Sequence, residues 1–391
     1  MLKNEYDIIV VGAGPAGTVA ARYAAKYGAK VLVLEKDRDV GYPVRCAEAI
    51  SKRNVVAFIE PDDKWINAKI NKYAFISPDG NEVVVEFAED NGYVIERRIF
   101  DYELGKLATE AGAQIQTRVY VHGLILEGDQ VCGVKAEFQG EQLEIKSKIV
   151  IGADGVESRV GRWAGIKTHI DHRDMEACLQ VTAANIDNID PNTLYFYLGS
   201  NYAPGGYFWV FPKGDKIANI GLGVSGDTGK KRSALSYLNE NMERFYPDAS
   251  IMTQVAGGVP CALTLEKISG NGIMLVGDAA RQVNPLTGGG IGSGMIGGKV
   301  AGEIAGEAIT KGKLKLLDKY RDAWMKERGK SHLIFDRLKD GIFNLSDDEF
   351  NSIIQKLLKT PKQKRTLGRF FMTALAKKPR LIVDVLKVYG D

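Results

Sequence analysis

Residues 6–36 read YDIIVVGAGPAGTVAARYAAKYGAKVLVLEK, and this stretch decides the fold. An apolar strand runs into Gly12-x-Gly14-x-x-Gly17, an alanine-rich helix follows, and a second apolar strand, VLVLE, ends on Glu35. The glycines, with Pro15 and Ala16 between them, allow a tight turn that lets backbone N–H groups and the helix N-terminus approach a pyrophosphate. Glu35 lies eighteen residues after Gly17, where a carboxylate can accept hydrogen bonds from a ribose hydroxyl. A lone GxGxxG is weak. With strand, helix, strand and terminal acid in order, the stretch predicts a dinucleotide site, Lys36 among its residues, and an acid rather than Arg at position 35 suits an unphosphorylated ribose.

The rest of the chain must accommodate that unit. Its 391 residues, 45% apolar and 26% charged, are enough for two or three domains with a large core. Cys46, Cys132, Cys178 and Cys261 form no CxxC pair, which argues against zinc or iron–sulfur ligation and for a reducing, cytoplasmic setting. The four histidines, His122, His169, His172 and His332, show no metal spacing, so no metal is expected. No nucleic-acid partner is expected either. The N-terminus runs straight into a strand pattern, and no window holds 18 apolar residues in a row.

Charge is unevenly distributed. Residues 311–391 carry 20 Lys+Arg against 10 Asp+Glu, while the first 310 carry 32 against 39. A basic tail can rest on anionic phospholipid, although a solvated helical face is the simpler reading.

Three later segments choose the dinucleotide. Arg98-Ile-Phe-Asp101 leads into a helical pattern and then the strand IQTRVYVHGLIL, which holds Val121. IVIGADG ends near Asp154, and GIMLVGDAARQVNPLTGGGIGSGM (272–295) runs from a strand through Gly277-Asp278 into a glycine-rich loop and a helix. In this order the chain resembles the flavoprotein hydroxylase-like superfamily, which implies FAD. The resemblance implies that Asp278 bonds a ribityl hydroxyl, and that Gly288, Gly289, Gly290 and Ile291 bring backbone N–H groups to the flavin pyrimidine edge. A helix N-terminus there suits the negative charge of reduced flavin.

Two signatures narrow the resemblance. Gly41-Tyr-Pro-Val-Arg-Cys-Ala-Glu48 is similar to a loop of the geranylgeranyl reductases, particularly the archaeal digeranylgeranylglycerophospholipid reductases. Pro204, Tyr207, Trp209, Phe211 and Pro212 complete their PxxYxWxFP signature. The implied reaction saturates isoprenoid C=C bonds of an ether phospholipid precursor by hydride from reduced flavin plus a proton. Arg45, Cys46 and Ala47 are implied flavin neighbours. Cys46 is the candidate catalytic thiol, either a proton donor or an apolar neighbour of the ring. Alternation along YFWVFP puts Tyr207, Trp209 and Phe211 on one strand face, the expected wall for a polyene. The electron donor stays open between NAD(P)H, ferredoxin and another reductant. Rival readings are an FAD-dependent monooxygenase or halogenase of the same fold, or a non-enzymatic isoprenoid carrier.

The expected architecture is α/β: a Rossmann-type FAD domain (1–73, 96–175 and 272–325) interrupted by an antiparallel β-sheet substrate domain (74–95 and 176–271). A C-terminal helical region (326–391) follows, either packed on the protein or in peripheral contact with a membrane.

Overall fold

The computed structural model describes residues 2–227 and 232–377. The apolar run LIVDVLKV (381–388) of the expected C-terminal helical region lies outside the described residues, as do residues 228–231 of the expected substrate domain. The chain divides into two compact units. The first comprises Met1–Val44, Arg97–His169 and Ala262–His332, and the second Arg45–Glu96, Ile170–Cys261 and Leu333–Asp391.

The first unit is built on a parallel sheet. The strand Glu5–Val11 pairs in parallel with Glu141–Gly152 on one side and Val31–Leu34 on the other. Ile273–Leu275 and Gln114–Gln116 extend the sheet in the same sense at its two flanks. Parallel strands are buried on both faces and so read as unbroken apolar runs. IIVV and VLVL are accordingly inaccessible to solvent. The predicted strand IQTRVYVHGLIL is in fact two, Gln114–Gln116 and Val119–Glu127, separated at Arg118, whose φ is 60°. A positive φ breaks the extended ladder.

The helices Pro15–Ala25 and Ile291–Lys311 meet along a glycine seam. A Cβ on Gly298 or Gly302 would fall onto the carbonyl oxygen of Ala16 or Ala20, and one on Gly306 would sit 2.7 Å from the Tyr27 ring. The glycine richness after residue 291 therefore serves backbone-to-backbone approach of two helices.

The second unit carries a sheet of seven strands among the described residues. Its order is Ser250–Pro260, Met175–Ala184, Ile217–Ser225, Tyr207–Pro212, Thr193–Leu198, Lys72–Ile76 and Glu82–Glu86. Pairing is antiparallel except between Thr193–Leu198 and Lys72–Ile76. One face buries Phe208, Val210, Ile220 and Leu222 with Leu238 and Met242 of the helix Ala234–Phe245. The other face gathers Trp209, Phe211 and Leu194 with Ile70 and Val94.

The division departs furthest from the expected boundaries at two places, with shorter shifts at 170–175, 262–271 and 326–332. Residues 45–73 group with the second unit, because Ala49–Ser51, Gly92–Ile95 and Ile66–Ile70 form a separate antiparallel sheet whose side chains join that aromatic face. The C-terminal helices from Leu333 onward also group there instead of standing as a region of their own. The helix Asp347–Leu358 opens with a capping box between Ser346 and Glu349, which satisfies N-terminal amides reciprocally. Asp347 holds Ser200 through its backbone N–H at 2.7 Å and its hydroxyl at 2.9 Å.

Candidate functional site

The first unit assembles the nucleotide-binding residues. Gly12 has φ 106°, and a Cβ there would fall inside contact distance of the Ala153 carbonyl oxygen. A side chain on Gly17 would meet the Gly12 carbonyl oxygen, whereas Gly14 faces open space. Two glycines thus permit the close turn and the third leaves room beside the helix N-terminus, where Pro15 opens the first turn. The Glu35 carboxylate accepts from the backbone N–H of Ala13 at 2.7 Å and of Asp37 at 3.0 Å. It is fixed at the end of its strand with lone pairs remaining, while Lys36 is exposed.

Three more motifs lie on the same unit. Asp154 accepts from the Val160 N–H at 2.9 Å through one oxygen, and its other oxygen, Oδ1, is buried without a partner. Burial holds its carboxyl above the ordinary range, against the lowering effect of that amide. Asp278 lies against the start of the helix Ile291–Lys311, and its Oδ1 is 3.2 Å from where a Gly290 Cβ would be. Burial raises its carboxyl too, while the Arg97 guanidinium pulls the other way. Gly288 (φ 69°) bends the loop, and Asn284 closes it by hydrogen bonds with Gly288 and Gly289.

Arg97, which the sequence reading passed over, forks onto Asp101 at 2.7 and 2.6 Å, whereas the predicted Arg98 is exposed at the same helix start. Val121 contributes its side chain to the core. Gln282 was also missed. It is fully buried, accepts from the Gly277 N–H at 2.8 Å and donates to the Tyr320 hydroxyl at 2.8 Å. A glutamine five residues after a strand-terminal glycine gives little signal in sequence.

A turn with no room for side chains, an open helix N-terminus, an acid at a strand end and an orphaned carboxylate oxygen fit a bound dinucleotide. Glu35 suits the ribose, and Asp278 with the 288–291 loop suits the far end of the same cofactor.

The predicted Arg45, Cys46 and Ala47 belong instead to the second unit, with the aromatic face. Trp209 Nε1 donates to Gln180 Oε1 at 3.1 Å, and Gln180 Nε2 donates to the Cys46 carbonyl at 2.8 Å. The Trp209 indole covers Gly221, where a Cβ would come within 2.6 Å of the ring. Cys46 Sγ accepts from the Glu48 N–H at 3.2 Å. Glu48, 2% exposed, pairs with Lys213 at 2.6 Å and accepts from Asn219 Nδ2 at 2.7 Å, while Lys213 also pairs with Glu96 at 2.9 Å. Glu48 is thus a buried latch for its loop. Tyr207, Trp209 and Phe211 face the same way, and Phe196 packs edge-on against both Tyr207 and Phe211.

Comparison with known proteins can now be set beside this geometry. The family model for the geranylgeranyl reductase catalytic domain matches residues 174–259, and that for pyridine nucleotide-disulphide oxidoreductases matches residues 6–189. Digeranylgeranylglycerophospholipid reductase 2 of Methanococcoides burtonii is 44% identical, the alignment covering 100% of this chain and 97% of the relative. The chain belongs to the digeranylgeranylglycerophospholipid reductase family. A second member, from Methanocella arvoryzae, is 42% identical over 98% of this chain and 99% of its own. A geranylgeranyl bacteriochlorophyll reductase-like structure from Thermoplasma acidophilum superposes with a TM-score of 0.92 at 34% identity, covering 98% of this chain and 99% of that one. A flavin-dependent brominase superposes at 0.72 with 18% identity over 96% and 100%, which shows a shared fold alone.

The family therefore combines a Rossmann-type FAD unit with an antiparallel sheet, and the protein is an FAD-dependent oxidoreductase. No helix among the described residues is long and apolar enough to cross a membrane.

Proposed function

We propose that this protein saturates the isoprenoid C=C bonds of geranylgeranyl chains carried on an ether-linked phospholipid precursor. The observation that carries the reading is the aromatic face formed by Tyr207, Trp209, Phe211 and Phe196, on the segment that matches the reductase catalytic domain. FAD, when bound and reduced, supplies hydride to one alkene carbon. Glu35, Asp154, Asp278 and the 288–291 loop are the residues that would hold it.

The protein's own contribution is to bind the chain and manage the proton. Ring faces bury a polyene favourably, at about 25 cal/mol per Å² of apolar area removed from water. Their electron-rich faces also tolerate positive charge building on the alkene as it accepts a proton. Trp209 does two things, packing in this face and, through Gln180, holding the Cys46 carbonyl. Cys46 remains beside the reacting chain in this reading, as a thiol neighbour. NAD(P)H, ferredoxin or another reductant would reload the flavin.

Incubating chemically reduced enzyme with digeranylgeranyl lipid tests the proposal. Mass spectrometry should find successive gains of two hydrogens as the flavin reoxidises. An unchanged polyene with the flavin still reduced would sink it. In the same assay Trp209→Ala should lower turnover by about tenfold or more, on the scale of a lost aromatic contact, while FAD occupancy stays near one. Equal loss of both would return this strand to a purely structural role.

Peripheral membrane contact is supported by charge alone. Lys359, Lys362, Lys364 and Arg369 are exposed on the segment that leads to the exposed Met372 toward the end of the described chain. Binding to anionic vesicles that weakens with salt is expected, and sedimentation with no vesicle binding at low salt would refute it.

A further inference from the structure

Glu176 is a carboxyl with no structural job. It stands on the strand Met175–Ala184, only 7% exposed, and its Oε2 is buried without a hydrogen-bond partner. A buried polar group left unpaired costs about 1–3 kcal/mol, and such groups call for an explanation.

Its position is set by register. Glu176 and Cys178 alternate onto the same face as Tyr207, because Cys178 pairs across to Gly223 and Gly223 pairs across to Tyr207. Glycine between them leaves that row without a side chain. A Cβ on Gly223 would lie 3.2 Å from Cys178 Sγ and 3.9 Å from Glu176 Oε2, and one on Gly206 would lie 3.4 Å from the same oxygen. Gly257, on the other side of Cys178, lies under the Arg45 side chain, whose Cβ and Cδ would be 3.9 Å from an added Cβ. The unpartnered oxygen therefore lies over the backbone of Gly206 and Gly223, on the sheet face that carries Tyr207, Trp209 and Phe211.

We infer that Glu176 is the proton donor for alkene saturation, a role that rests on the function proposed above. In the step, the π pair of the C=C bond takes the Oε2 proton to form one C–H bond. The other alkene carbon, left electron-deficient, takes the hydride supplied by reduced flavin. The lipid gains two hydrogens, the flavin is oxidised by two electrons, and Glu176 is left as a carboxylate to be reprotonated from water.

The charge environment agrees with this assignment. Burial is the main influence and pushes the Glu176 carboxyl up to about 8, with Asp227 and Asp174 adding to the rise and Lys339 opposing it. It is therefore protonated at neutral pH. Burial drives the Cys178 thiol up to about 12, with Glu176 and Cys46 adding to it, and raises the Tyr207 phenol further still. Cys261 also bears on Tyr207. Of these groups the carboxyl is the strongest acid. Lys339 is held by Asp174 at 2.8 Å and by the Cys261 carbonyl at 2.7 Å. It supplies the countercharge once the proton has left.

Two measurements on full-length, FAD-loaded enzyme test the assignment. The first is single-turnover flavin reoxidation by digeranylgeranyl lipid across pH, for wild type, Glu176→Gln and Glu176→Asp. Wild type should lose rate above pH about 8. Glu176→Gln should be slower by about 10²–10⁴, the range for general acids, with lipid affinity unchanged and no alkaline break. Glu176→Asp should recover part of the rate and the break with it.

The second readout needs no turnover. Because the folded carboxyl titrates above its ordinary value of 4.5, its contribution to stability is full below that pH and is lost as pH rises toward 8. The melting temperature of wild type should fall relative to Glu176→Gln across that window. A Glu176→Gln enzyme with wild-type rate and pH profile, or a Glu176→Asp enzyme without the alkaline break, would overturn the donor role while leaving lipid saturation standing. A wild type that saturates nothing would overturn both.

Discussion

Gly12→Ala should yield protein that purifies colourless. The added methyl would occupy the space of the Ala153 carbonyl oxygen, and φ at this position is 106°. Both neighbours are backbone: Ala153 continues directly from the strand Glu141–Gly152, which pairs with Glu5–Val11 in the centre of the sheet. Neither side can yield without moving a sheet strand. A left-handed conformation costs an L-residue about 1–2 kcal/mol, and overpacking against rigid atoms adds roughly 1–3 kcal/mol. The sum is a large share of the stability of a typical domain. The loss should fall first on the cofactor, because the turn that positions the N–H groups of the helix Pro15–Ala25 is the part displaced. Flavin-to-protein ratio and the melting temperature with added FAD check this. Near-wild-type flavin content would show that the turn has slack not evident in its geometry.

Removing Glu48 should unfold more than its loop. Its carboxylate is shared between Lys213 and Asn219, and Lys213 in turn bridges to Glu96. Glu48→Ala would leave an ammonium that is only 11% exposed with one partner instead of two, and would leave the Asn219 amide with the Ala47 carbonyl at 3.3 Å as its remaining acceptor. Breaking a buried pair by deleting one partner costs about 3–5 kcal/mol, most of it from the charge left behind. A triple variant, Glu48→Gln with Lys213→Met and Glu96→Gln, removes all three charges of the cluster and should recover part of the loss. Denaturant unfolding of the three proteins distinguishes the cases. A Glu48→Ala midpoint unchanged from wild type would mean that water replaces the carboxylate without cost.

How far these features were legible in sequence depends on whether spacing along one strand or turn was enough. Gly12, Gly17 and Glu35 were readable because turn and acid sit on consecutive elements, so chain distance fixes spatial distance. Asp278 and the 288–291 loop entered only through the family resemblance. Glu176, Cys178 and Gln180 were not readable. In MEACLQVTAA they look like polar breaks in an ordinary strand. Their meaning comes from neighbours about forty to eighty residues away, the glycines of Ile217–Ser225 and Ser250–Pro260, and pairing register is a property of the sheet. The alternation Glu-x-Cys-x-Gln beside a strand that also alternates in glycine (IGLGV) was the available signal. Likewise the Pro-Lys-Gly-Asp turn after YFWVFP read as a turn, and nothing local showed that Lys213 reaches Glu48. The grouping of residues 45–73 with the second unit escaped notice because its cause is a short three-stranded sheet assembled from separated segments.

The glycine seam between the helices Pro15–Ala25 and Ile291–Lys311 carries one more implication. Each helix begins at a different glycine-rich loop, and where Gly298 and Gly302 meet the carbonyl oxygens of Ala16 and Ala20 there is no soft layer to absorb adjustment. A shift of one helix along the seam must shift both loops as a single rigid key. Natural or laboratory variation in cofactor affinity should therefore accumulate in the loop residues themselves, and the seam should tolerate almost none, even at Gly302, far down the helix from either loop.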